Sequence, residues 1–122
     1  MKKLFTITIV LLISILTGCD SNNKTIEDGC YKDNMGSGLI ISHNEDNQYL
    51  IDFGVYKVTR FETAVGEYDT ATGILHFTAN NYDGKSVSAN IINKDEHLLV
   101  TITDWEFEDF LPNGTELDFY KQ

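Results

Sequence analysis

The chain has 122 residues, 42% of them apolar, and carries 19 acidic against nine basic side chains, a formal charge of −10. That length fits one domain, and the apolar share excludes a disordered chain. One proline and nine glycines exclude collagen-like or proline-rich architecture, and the acidic balance argues against DNA or RNA as a partner.

The first predicted element is a leader. Lys2 and Lys3 precede an uncharged run from Leu4 to Leu16, and Leu16-Thr17-Gly18-Cys19 closes the segment. A positive start, an apolar run of this length and a small-residue exit describe a secretory signal. The run is shorter than the roughly 20 residues of a spanning helix. Its last four residues resemble the lipobox of bacterial lipoproteins. The resemblance implies a signal peptide over 1–18, cleavage between Gly18 and Cys19, and a diacylglycerol thioether and N-acyl chain on Cys19. The mature protein would then be anchored to a lipid bilayer outside the cytosol, since two or more acyl chains give stable attachment. Asp20 resembles the inner-membrane retention signal of enteric-type lipoproteins. In a two-membrane envelope it implies the periplasmic face of the inner membrane, with the outer membrane as the other destination.

Processing leaves 104 residues. With Lys2 and Lys3 removed, seven basic side chains face 19 acidic ones, a charge of −12. Residues 19–28 read as a lipidated polar tether and 29–122 as a single domain that anionic headgroups repel. Once Cys19 is lipidated, Cys30 has no intramolecular disulfide partner. In Gly29-Cys30-Tyr31 it reads as a small buried side chain, the alternatives being an interchain bond or a reactive thiol.

From Gly29 onward apolar residues recur at spacing two, the mark of half-buried strands. Tyr49, Ile51 and Phe53 follow the pattern, as do Val87, Ala89 and Ile91, then Leu98, Val100 and Ile102, and finally Leu117 and Phe119. Turn-forming stretches separate the runs: His43–Gln48, Asp69–Gly73, Asn81–Gly84, Asn93–Glu96 and Pro112–Gly114. Strands every 8 to 12 residues predict an all-β fold of eight or nine strands, either a small antiparallel up-and-down barrel or a two-sheet sandwich. Gly29-x-Tyr31 and the successive hairpins resemble lipocalin-like and avidin-like barrels, a likeness that carries no residue or ligand across. Thirteen aromatic residues, Tyr31 to Tyr120, alternate with polar neighbours and read as core.

The densest charge lies in Asp104-Trp105-Glu106-Phe107-Glu108-Asp109-Phe110. On a strand, Asp104, Glu106 and Glu108 share one face and Trp105 and Phe107 the other. Such a row, with Asp109, suits a basic groove in a protein partner; it equally suits a solvent face guarding a strand edge. Asn44–Asn47 and Asn80–Asp83 offer hard oxygens for calcium, but neither follows the twelve-residue binding loop. His43, His76 and His97 lack close zinc-ligand spacing. Gly36-Ser37-Gly38 lacks the strand–elbow–helix setting of a hydrolase serine. No metal or cofactor is expected. The sequence thus predicts a non-catalytic binding module of inhibitor, immunity or assembly-factor type, the alternative being a barrel that carries a small apolar ligand.

Overall fold

The computed structural model describes residues 25–56, 59–105 and 113–122. Gly18, Cys19, Asp20, Glu106, Glu108 and Asp109 lie outside the described residues. Nine strands follow one another: β1 (Gly29–Lys32), β2 (Gly38–Glu45), β3 (Gln48–Val55), β4 (Thr59–Arg60), β5 (Ala64–Asp69), β6 (Ile74–Asn80), β7 (Ser86–Asn93), β8 (Leu98–Trp105) and β9 (Glu116–Lys121).

Every pairing is antiparallel. β1 pairs with β2, β2 with β3, β3 with β5, and the ladder then runs in order to β9, which returns to β1 through Tyr31 opposite Lys121 and Lys32 opposite Tyr120. That last contact closes the sheet. The fold is an eight-stranded up-and-down barrel, and closure removes the exposed edges a sandwich would keep. The extra strand, β4, pairs with the end of β3 through Gly54 opposite Arg60.

Period-two patterning fills the barrel. Leu39 and Ile41, Ile51 and Phe53, Leu75 and Phe77, Val87, Ala89 and Ile91, Val100 and Ile102, and Phe119 are all buried. Phe53 meets Phe61, Phe77 and Phe119 with ring centroids 5.7, 5.7 and 6.2 Å away. An eight-stranded barrel is just wide enough for side chains to fill it, and these rings from separate parts of the chain do so. Gly66 makes room for the aliphatic side chains beside them: a Cβ there would stand 2.6 Å from Ile51 Cδ1 and 3.0 Å from Leu75 Cδ1.

The turns are built by Asx side chains. Oδ1 of Asp33, Asp69, Asn81 and Asn93 each accepts a hydrogen bond from the backbone N–H two residues on, at 2.8–3.0 Å, which bends the chain back without help from the sheet. The expected six-residue turn at His43–Gln48 is shorter than predicted. β2 runs on to Glu45 through an irregularity in register, and only Asp46 and Asn47 turn. Asp46 takes a left-handed φ of 43°, a conformation that aspartate tolerates better than most residues.

β8 breaks its own alternation. Ser88 pairs with Asp104 but Ala89 pairs with Ile102, so Thr103 is an extra residue, a β-bulge. Without it, Asp104 would follow Ile102 into the core. With it, Asp104 is exposed, and Trp105 packs on the core edge-on to Phe61 at 6.1 Å.

Candidate functional site

The barrel has two unlike ends. At the near end, the segment Thr25–Asp28 lies across the mouth. Ile26 is buried in the core cluster, and four strands pin its neighbours. Asn93 Nδ2 donates to the Thr25 carbonyl at 2.9 Å, and Tyr31 Oη to that of Glu27 at 2.7 Å. The His43 N–H donates to Asp28 Oδ1 at 2.8 Å, and Lys121 Nζ sits 3.1 Å from Glu27 Oε2. The stretch expected to be the end of a tether is thus part of the domain. Its clue was Ile26, the lone apolar residue among Asp20–Asp28.

Burial raises the pKa of the Tyr31, Tyr49 and Tyr68 phenols above the ordinary value near 10, and neighbouring acids (Glu27 and Asp28 at Tyr31, Asp28 at Tyr49, Asp69 at Tyr68) add to the shift. The hydrogen bond to Glu27 raises the pKa of Lys121.

The far end carries the β1–β2 and β6–β7 turns and the end of β3, tied together by buried polar groups. Ser37 Oγ accepts from the Tyr56 N–H at 3.0 Å. Asn81 Oδ1 accepts from Asp83 N and Lys85 N, while its Nδ2 reaches Thr59 Oγ1 at 3.4 Å. These bonds give Ser37 and Asn81 structural roles. On this braced rim stand Tyr82 and Met35, 82% and 75% exposed and the most exposed large apolar side chains among the described residues, together with Tyr56 at 50%. Reading the aromatics as core missed Tyr56, Tyr82 and Tyr120. The signal was local, since Tyr82 lies inside the turn-forming Asn81-Tyr82-Asp83-Gly84. Asp104 is exposed at the same end; its expected companions Glu106, Glu108 and Asp109 lie outside the described residues.

The other candidates are scattered. His43 Nε2 donates to the Asp46 carbonyl, His76 Nδ1 meets Asn90 Oδ1 on the outer wall, and His97 Nε2 lies 3.0 Å from Asp118 Oδ1. Among the described residues no cluster of three or more His, Cys, Asp or Glu is placed to hold a metal. Cys30 is exposed, not buried as expected; in β1 it is Tyr31 that takes the inward position, which turns Cys30 to the outer wall. Three concavities lined by described residues, each about 510–550 Å³, open onto solvent. No protein-family model, curated protein or solved structure matches the chain.

Proposed function

We propose that the chain is a membrane-anchored extracytoplasmic lipoprotein whose barrel is a non-catalytic binding module for a basic protein partner. The observation that carries this reading is the polarity of the barrel. The N-terminal segment, which leads back to Cys19, is fixed at the near end, while Met35, Tyr56, Tyr82 and Asp104 are displayed at the far end.

If Cys19 carries the acyl chains, five residues separate it from Thr25. Six Cα steps reach at most about 20 Å, beyond the screening length of about 8 Å at physiological salt. The near end, with Glu27, Asp28, Asp46, Asp95 and Glu96, is repelled by anionic headgroups, and the far end faces away from the bilayer. Acidic charge draws in a basic surface and sets the association rate; burial of Tyr82, Tyr56 and Met35 then holds it. Asp104 puts exposed acidic charge on this surface, and Glu106, Glu108 and Asp109 follow it in the sequence. The side-chain-filled interior supports binding on the outside of the barrel over the carrier reading.

Photo-crosslinking in the native membrane tests this. A crosslinker at Tyr82 should trap a protein, and one at Glu96 should not. Neutralising Asp104, Glu106, Glu108 and Asp109 together should slow association at least tenfold at low salt without unfolding the domain. Equal protein adducts from both ends, or an unchanged association rate, would count against the proposal.

A further inference from the structure

One recess on the outer wall has an explanation neither in folding nor in the acidic surface. Lys32, Gly38, Gly54 and Arg60 are successive cross-strand partners on β1, β2, β3 and β4. All four sit at outward positions, because Tyr31, Leu39, Phe53 and Phe61 beside them are buried. The row therefore reads cation, gap, gap, cation. At about 4.8 Å per strand, the two cationic residues stand about 14 Å apart at Cα, with no side chain between them. In the next row lie Cys30, Ile40 and Asp52, again direct partners. With Val55 and Tyr56 they bound a concavity of about 520 Å³, within the usual range for small-molecule sites.

The two glycines are costly, and the fold does not need them. Glycine inside a strand destabilises by roughly 0.5–1 kcal/mol relative to alanine. Gly66 is required by packing, and Gly84, in its turn, by a φ of 82°. Neither reason applies to Gly38: its φ is not left-handed, and an added Cβ would meet nothing within 4 Å. An added Cβ on Gly54 would make only ordinary contact, 3.6 Å from Arg60 Cγ. A strand glycine without such reasons fits either a bend at a barrel corner or a place where a ligand or another backbone comes close, and the cations on either side favour the ligand.

The cations add a second, separate signal. Arg60 is the only arginine in a chain of net charge −10. Among the described residues neither Lys32 nor Arg60 forms an ion pair, in contrast to Lys121, which pairs with Glu27. Asp52, the one carboxylate among the described residues lining the recess, accepts a hydrogen bond from the Thr63 hydroxyl. A guanidinium grips carboxylate or phosphate with two parallel bonds, and an ammonium adds a point charge.

We infer that this recess binds a small amphipathic anion, a carboxylate or phosphate monoester joined to an apolar chain or ring. The anionic head sits over Gly38 and Gly54 between Lys32 and Arg60, and the apolar body lies against Ile40, Val55 and Tyr56. This site does not involve the lipid anchor, and it shares Tyr56 with the far-end rim.

Residues 20–122 contain every strand and every described core residue, so a leaderless form retains the whole core. Octyl phosphate and octanoate are titrated into that protein, labelled with ¹⁵N, with octan-1-ol as the neutral control. Saturable amide shifts should appear at Lys32, Gly38, Gly54 and Arg60 with the anions and not with the alcohol. Lys32→Glu with Arg60→Glu should weaken binding at least tenfold. Gly38→Leu, which keeps both charges and whose Cβ meets nothing within 4 Å, should abolish binding while leaving the urea midpoint unchanged or higher. Phosphatidylglycerol vesicles form a second arm: shifts with vesicles alone assign the anion to a lipid headgroup, and shifts with the soluble anions assign it to a free amphiphile. No saturable shift in either arm, an equal response to octan-1-ol, or unaltered binding in Gly38→Leu overturns the inference.

Discussion

Tyr31 shows how much a single side chain does at the near end. Its ring is core, and its hydroxyl bonds the Glu27 carbonyl at 2.7 Å. Tyr31→Phe keeps the ring and removes the bond, so urea unfolding should show a loss of about 0.5–1.5 kcal/mol. The same phenol, with Tyr49 and Tyr68, sets the alkaline limit. Their folded pKa values lie above the unfolded value near 10, so the folded state favours the protonated form. That contribution is complete below pH 10 and is lost as pH rises through the folded values. Absorbance at 295 nm should show these three phenols ionising after the exposed tyrosines, together with loss of structure; ionisation of all six at pH 10 with the fold intact would contradict this. Gly66 stands at the opposite extreme of tolerance from Gly38. Gly66→Ala places a methyl 2.6 Å from Ile51 Cδ1 and 3.0 Å from Leu75 Cδ1, and should cost about 1–3 kcal/mol by overpacking.

At the scale of elements, period two was legible because each strand has one wet and one dry face: Ile51 and Phe53 are buried beside exposed Leu50, and Val87, Ala89 and Ile91 repeat the pattern. What spacing alone concealed was the register. Leu98, Val100 and Ile102 point inward at even positions, yet Trp105 packs on the core at an odd one. Only the bulge at Thr103 reconciles them. The candidate acidic row could be read as a run of like charges, and Asp104 is indeed exposed. The apolar rim could not, because Met35, Tyr56 and Tyr82 come from three separate parts of the chain. The segment Thr25–Asp28 was concealed for a similar reason, since its hydrogen-bond partners lie on β1, β2, β7 and β9. Ile26→Ala should therefore free this segment, exposing it to protease and lowering stability by about 2 kcal/mol. Trp105 is the only tryptophan and lies at the other end. Its emission maximum should stay fixed in Ile26→Ala, whereas a red shift would mean that the whole barrel had loosened.

For the whole molecule, closure by β1 and β9 settles what strand spacing left open between barrel and sandwich, because the pairing of the first and last strands is the least local contact in the fold. Closure also sets the first and last strands side by side and leaves two ends of different make-up. If the leader is removed, the remaining charge of −12 makes association with the proposed basic partner salt-dependent: the association rate should fall as ionic strength rises. That charge, the standing-off from the bilayer and the outward-facing rim have their proposed meaning only if the chain is held to a membrane by Cys19. Intact-mass analysis of the protein isolated from its own membranes tests this most directly. The account predicts a chain starting at Cys19 that is heavier than residues 19–122 by a diacylglyceryl group and an N-acyl chain. A mass matching an unmodified Cys19, or the full chain from Met1, would contradict it.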